Sequence, residues 1–192
     1  MLKSKTILYY LIMYYSTTYK SPIGALTLAC DGGNNLIGLW IEGQKYHGNT
    51  LFKQIIDKSD MPIFNDTKKW LDRYFAGEKP AVSELSIAPI GSDFRHRVWD
   101  ILCEIPYGKV ITYKEITEKI AKDLNKQKMS AQAVGGAVGH NPVSIIIPCH
   151  RVVGTNGSLT GFAGGIDKKI KLLEIEGVCL SKFFVPKTGT AL

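Results

Sequence analysis

The sequence predicts an α+β fold: a small β-rich N-terminal domain followed by a mostly helical C-terminal domain with a helix-turn-helix. Three observations carry that prediction. Over residues 14–39, short runs of aliphatic, aromatic and β-branched residues are separated by turn signals. Around 87–91, with Pro89, this texture gives way to segments whose apolar residues recur at helical spacing. Two such segments flank a basic polar loop at 125–129, as two helices joined by a turn would. The boundary falls near residue 88, which divides the chain into domains 1–88 and 89–192.

Each element has a local reason. Residues 7–15 are apolar and aromatic, follow Lys3 and Lys5, and suit a strand. They imitate a signal peptide only faintly, with no cleavage site after them and too little length to cross a bilayer. Met13 is an alternative start to Met1. Ser21-Pro22-Ile23-Gly24 is a turn, 25–30 a strand, Asp31-Gly32-Gly33-Asn34 a hairpin signal and 36–41 the returning strand. Residues 62–76 read as a helix, with Phe64, Thr67, Leu71, Tyr74 and Phe75 on one face, Asn65 or Asp66 as cap, and Gly77 to stop it. Cys30 reads as packing and His47 as solvent-facing loop.

In the second half, Ser92 or Asp93 caps a helix to about Glu104 with Phe94, Val98, Ile101 and Leu102 inward. Pro106-Tyr107-Gly108-Lys109 is a turn. Thr112 caps the next helix, and Glu115 three residues on completes a capping box. Ser130 opens a helix made almost wholly of Ala, Gly and Val (131–138). Its helix propensity is poor but its cylinder is thin, suited either to tight packing or to close approach to a nucleic-acid groove. Residues 166–176 form a last helix ended by Gly177, with Lys168, Lys169 and Lys171 on a solvated face. The tail from Ser181 is expected to fray.

Composition narrows the function. With 192 residues and 45% hydrophobic content the chain can build a substantial core. The net charge of +7 points to an anionic partner. Cys30, Cys103, Cys149 and Cys179 stand far apart, without metal-ligand spacing. That argues against a zinc ribbon or a secreted disulfide scaffold and for a reducing, cytoplasmic setting.

The chemistry concentrates at 145–165. Ile145-Ile146-Ile147 reads as a buried strand ended by Pro148, followed by Cys149-His150-Arg151 and, further on, Gly161-Phe162-Ala163-Gly164-Gly165. A thiol beside an imidazole and a guanidinium would be favoured as thiolate, which is how reactive cysteines arise. The plainer alternative is a buried structural cysteine.

Pro148-Cys149-His150-Arg151-Val152, the small-residue helix upstream and the Gly-Gly segment downstream together resemble the methylated-DNA–protein-cysteine methyltransferases, also called O6-alkylguanine-DNA alkyltransferases. The resemblance spans 14–177, is strongest over 134–165, and includes Ser21-Pro22-Ile23-Gly24 and Tyr74-Phe75-Ala76-Gly77. It implies irreversible transfer of an alkyl group from O6 of guanine, with O4-alkylthymine a second possible substrate, to Cys149. It implies His150 as a base acting through water, Glu176 as the residue orienting it, Asn141 as holder of the cysteine turn, and Tyr113 as donor to the purine. Main-chain groups at Cys149, Val152 and Ala163 would read the flipped base, and Phe162 would wall the pocket where relatives often carry Tyr. Gln132, where many relatives place arginine, would fill the vacated stack beside Ala133 and Gly135, with weaker DNA binding expected. Lys109, Lys114, Lys126, Lys128 and Arg151 are phosphate-contact candidates, though Arg151 could instead be held inside the site. The implied partner is duplex DNA containing O6-alkylguanine, bound by a monomer, with no membrane and no cofactor. Cys30 and His47 do not reproduce the zinc set of some relatives, so no metal is expected.

The chemistry agrees. Displacement at an alkyl carbon needs a soft nucleophile, and thiolate is the best that proteins have. The alkylated base must leave the stack to meet a buried thiol. Two alternatives are weaker. A lesion binder without chemistry would lack the acceptor cysteine, and a cysteine hydrolase would need a legible oxyanion arrangement.

Overall fold

The computed structural model describes residues 13–49, 51 and 55–187; the part of the N-terminal strand expectation at 7–12 lies outside them. Strands β1 (Tyr14–Ser21), β2 (Gly24–Cys30) and β3 (Leu36–Ile41) form an antiparallel meander through the two predicted turns. In the first turn Ser21 Oγ accepts from the Ile23 amide and donates to the Gly24 carbonyl. In the second, Asp31 Oδ1 accepts from the Asn35 amide at 2.8 Å, and Asn34 takes the left-handed backbone conformation. A fourth strand, β4 (Ile55–Asp57), lies parallel to β1 and completes the order β3-β2-β1-β4. Sequence reading missed β4 because three half-exposed residues carry no legible alternation.

Helix α1 (Pro62–Phe75) covers the sheet with Phe64, Trp70, Leu71 and Tyr74 inward. Neither Asn65 nor Asp66 caps it. The helix starts earlier, at Pro62, which has no amide hydrogen to satisfy, and the Ile63 amide is met by Asn34 Oδ1 at 2.8 Å. The cap is therefore tertiary, supplied by the β2–β3 turn.

All six residues of β3 are buried, because both faces of this edge strand are covered and its outer edge is occupied. Leu36, Leu39 and Ile41 join the main core, while Ile37 and Trp40 pack with Tyr14 and Ala29 on the other side. Along the edge, the Leu39 amide donates to the Pro142 carbonyl (2.8 Å) and the Ser144 amide to the Leu39 carbonyl (2.9 Å). This contact blunts an otherwise open edge. It also clamps the segment leading to Cys149 onto the N-terminal sheet. The main core is continuous from Leu28 through Val98 to Ile145 and Leu172.

The second half is built from α2 (Asp93–Cys103), α3 (Tyr113–Asp123), α4 (Ala131–Gly139) and α5 (Ile166–Ile175). Ser92 and Ser130 cap α2 and α4, and Thr112 and Glu115 form the full capping box of α3. α3 and α4 are the helix-turn-helix, with Ile116 and Ile120 of one and Val134, Ala137 and Val138 of the other in the core. Trp99 Nε1 donates to the Ala137 carbonyl at 2.9 Å, fixing α4 on α2. A short parallel pair, β5 (Ile111–Thr112) with β6 (Val152–Val153), brings the start of α3 beside the chain that leaves Cys149.

Two further expectations fail. Ile145-Ile146-Ile147 is not a strand but a run of tight turns, with Ile145 at φ 72°. The Ile146 and Ile147 amides bond to Ser144 and Val143 carbonyls, so no ladder can form; an apolar run says "buried" and only its partners say "strand". The tail is not frayed at Ser181: Leu180–Lys182 is a 3₁₀ turn, and Phe184 is hydrogen-bonded both to Gly157 and to Leu159. Among the described residues no helix is long and apolar enough to cross a membrane.

Candidate active site

Pro148 turns the chain out of the isoleucine run into a single 3₁₀ turn, Cys149–Arg151. Asn141 builds the turn around the thiol. Its Oδ1 accepts from the Val143 amide (3.0 Å), and its Nδ2 donates to the Ile147 carbonyl (2.7 Å) and lies 3.1 Å from Cys149 Sγ. One amide thus satisfies backbone groups on both sides of the strained Ile145 and reaches the sulfur as well. The turn is also gripped from outside: Ser144 Oγ donates to Gln44 Oε1 at 3.0 Å.

Cys149 is 6% exposed, and burial pushes its thiol above the ordinary range, against the hydrogen bond from Asn141 and the charge of Lys169. Burial thus works against the thiolate expected beside His150 and Arg151. A short 3₁₀ turn points successive side chains in different directions, and Arg151 faces away from the sulfur.

His150, Arg151 and Glu176 form a buried cluster. Glu176, the C-cap of α5, accepts at Oε1 from His150 Nε2 (2.7 Å), Arg151 Nη2 (2.9 Å) and the Tyr74 hydroxyl (2.8 Å). At Oε2 it accepts from Arg151 Nε (2.8 Å) and the Gly108 amide (3.1 Å). Gly108 has φ 73°, and a Cβ there would stand 2.8 Å from the Glu176 carbonyl oxygen, so this approach needs glycine. Burial alone would raise the Glu176 carboxyl; hydrogen bonds from His150 and Arg151, with the guanidinium charge, outweigh it and hold the group at about 2. Burial lowers the His150 imidazole below its usual 6.5, more than Glu176 raises it. A carboxylate only accepts, so Nε2 must carry the hydrogen, and the neutral ring keeps its lone pair on Nδ1. That tautomer is assigned from the hydrogen bonds. Nδ1 is buried and bonds to no protein group among the described residues.

Arg151 is corrected from a DNA contact to an internal anchor. Its guanidinium is spent on Glu176 and, through Nη1, on the Ile105 carbonyl at 2.6 Å. Lys169 is corrected from a solvated face: it is fully buried, donates to the Val152 and Thr160 carbonyls, and is lowered to about 8 by burial. It ties the strand leaving Cys149 to the glycine-rich loop. Of the expected base-reading groups, the Val152 amide bonds to the Cys149 carbonyl, and the Ala163 carbonyl accepts from the Lys45 amide at 3.0 Å. Each carbonyl keeps a second lone pair.

The remaining predicted residues lie around this centre. The Tyr113 hydroxyl donates to the Gly161 carbonyl at 3.3 Å, and burial followed by the Cys149 charge raises its pKa, so it stays protonated. Gly161 has φ 79°, and a Cβ there would collide with that hydroxyl. Phe162 is buried, its ring edge-on to His150 at 6.4 Å. Gln132 and Ala133 are exposed on α4, and Gly135 is half-exposed. Added Cβ atoms at Gly135 and Gly136 would meet nothing within 4 Å, which removes tight internal packing as the reason for these glycines. Lys109 is exposed in its turn, and Lys114 pairs with Glu118 at 3.8 Å. Lys114, Lys128 and Ala131 line a cleft of about 390 Å³ beside α3 and α4. Among the described residues no three His, Cys, Asp or Glu side chains converge as a metal site would require. Sequence reasoning missed Tyr74 and Gly108 in the cluster and the buried Lys169 near it, and nothing in their local pattern separates them from ordinary core, surface and turn residues.

Comparison with known proteins adds independent findings. Residues 13–89 match the family model for the 6-O-methylguanine DNA methyltransferase ribonuclease-like domain, and 93–178 match the model for the DNA binding domain of the same family. The methylated-DNA–protein-cysteine methyltransferase of Methanosarcina acetivorans is 42% identical over 172 residues, 87% of this chain and 100% of the relative. That of Haemophilus influenzae is 38% identical over 164 residues, 85% and 87% of the two chains. Among solved structures, Mycobacterium tuberculosis OGT in complex with DNA aligns with a TM-score of 0.71 at 39% identity, covering 89% of this chain and 94% of that one. The O6-methylguanine methyltransferase of the same organism aligns at 0.69 and 40%, covering 85% and 93%.

Proposed function

The chain belongs to the methylated-DNA–protein-cysteine methyltransferase family, and from that premise we propose that it repairs DNA directly, moving the alkyl group of O6-alkylguanine onto its own Cys149. The observation that carries the reading is a buried thiol held by Asn141, next to an imidazole whose Nε2 is committed to Glu176 and whose Nδ1 is left with a lone pair.

The geometry supports the following steps. Cys149 rests as a thiol, protected by burial. His150 Nδ1 takes its proton through a water, and Glu176 stabilises the imidazolium through Nε2. The thiolate attacks the alkyl carbon; the S–C bond forms as the C–O6 bond breaks, and the electron pair leaves on guanine. Tyr113, kept protonated, hydrogen-bonds the departing purine. A thioether does not return the group, so one molecule repairs one lesion. The damaged nucleotide reaches the thiol by leaving the duplex, with Gln132 filling the gap, Ala133 and Gly135 against the groove, and Phe162, Val152 and Ala163 around the base. Lys109, Lys114, Lys126 and Lys128 hold phosphates. In this reading 1–88 is a β-rich domain that braces the acceptor domain 89–192, and the protein works in the cytoplasm.

Mass spectrometry after mixing with a duplex containing O6-methylguanine tests the reading. One methyl group is expected on the Cys149 peptide and none in Cys149→Ser. Repeated turnover, or methylation of Cys103 or Cys179 instead, would sink it.

A further inference from the structure

The cluster at Glu176 has a contributor from the far end of the chain. Tyr74 lies on the last turn of α1, buried, its ring stacked on Trp70 (5.5 Å) and edge-on to Tyr107 (5.8 Å). Its hydroxyl donates to Glu176 Oε1 at 2.8 Å and stands 3.4 Å from His150 Nε2. Phenylalanine would make the same ring contacts, so packing does not account for the hydroxyl; its carboxylate partner does.

We propose that Tyr74 is a positioning residue for the alkyl transfer, holding the Glu176 carboxylate so that it steers His150 and limits how readily that imidazole takes a proton. This rests on the reaction assigned to Cys149 above. Three donors share the charge of Oε1: Tyr74, His150 and Arg151. Removing one leaves more of that charge to the others, which favours the imidazolium. A ring already protonated cannot accept the thiol proton. Tyr74 therefore adds to burial in keeping His150 neutral at the pH where it must act as a base. The other charged groups facing the pair are Arg151 from the 3₁₀ turn and Lys169 from α5, with Tyr107 beside Glu176. None of them changes when the hydroxyl alone is removed.

Tyr74→Phe in the full chain is the test, with two readouts. The first is the NMR titration of the His150 imidazole without DNA, whose midpoint is expected to rise by about one pH unit. The second is the single-turnover rate on duplex O6-methylguanine. The acid limb moves up with the imidazole, so the rate at the pH of the wild-type imidazole midpoint falls by roughly 3- to 10-fold, while the rate near pH 8.5 and the DNA affinity hold. An unchanged His150 midpoint, or a uniform loss of rate at every pH, overturns the proposal in favour of a purely structural role. In the wild-type protein the Tyr74 hydroxyl proton should be protected and close to the His150 Nε2 proton; a freely exchanging hydroxyl overturns it without any variant. Should the wild type fail to take up methyl, the functional reading falls, and the titration still decides whether Tyr74 governs His150.

Discussion

At Cys149 two demands meet. A thiol that reacts with an alkyl carbon in a base pocket has to be buried, yet burial keeps it protonated and less reactive. Asn141 serves both sides, because the same Nδ2 that holds the Ile147 carbonyl lies beside the sulfur. Asn141→Ala leaves the Val143 amide and the Ile147 carbonyl without their side-chain partner. We expect a loss of about 2–4 kcal/mol in urea unfolding. The methyl-transfer rate should fall by at least tenfold beyond what the unfolded fraction explains. A variant with wild-type stability would show that water substitutes freely for the amide.

At the level of elements, α4 is informative because it is a poor helix. Gly136 is exposed, and neither backbone conformation nor a neighbouring atom requires glycine there. Gly136→Ala is therefore expected to stabilise the fold by about 0.5–1 kcal/mol in denaturant titration. If the smooth face exists for a nucleic-acid groove, the same change weakens DNA binding several-fold; both measurements belong together, since a stabler protein with unchanged affinity removes the groove explanation. The elements themselves were largely legible. Caps at Ser92, Thr112 and Ser130 and breaks at Gly77 and Gly177 are local chemistry and stand where the sequence puts them. Those that were not legible, the β4 strand and the 145–147 turns, depend on which backbone group finds which partner.

For the whole molecule, the N-terminal sheet and the helical half act on one site. β3 clamps the turn before Cys149, Gln44 holds its Ser144 hydroxyl, the Lys45 amide holds Ala163 of the glycine-rich loop, and α1 sends Tyr74 to Glu176. The buried cluster also makes stability fall toward acid. Glu176 lies at about 2 in the folded protein, below the unfolded carboxyl. Its contribution is complete above about pH 5 and is lost as pH falls through roughly 4 to 2. His150 is lowered by burial, so below about 6.5 the unfolded imidazole takes a proton before the folded one does. Both act in one direction. Urea midpoints measured between about pH 7.5 and 3.5 should drop steadily, steepest below about pH 4.5; a flat profile contradicts a buried, ionised Glu176.

The sequence by itself determined which thiol stands beside a histidine, the order of the helices and the thin face of α4, because these are set by residue type and short spacing. Only the tertiary structure decided that Arg151 and Lys169 turn inward, that the isoleucines make turns, and that Tyr74 shares an oxygen with His150 across 76 positions of chain. Direction of a side chain and ownership of a lone pair are properties of the packed molecule, and no local pattern encodes them.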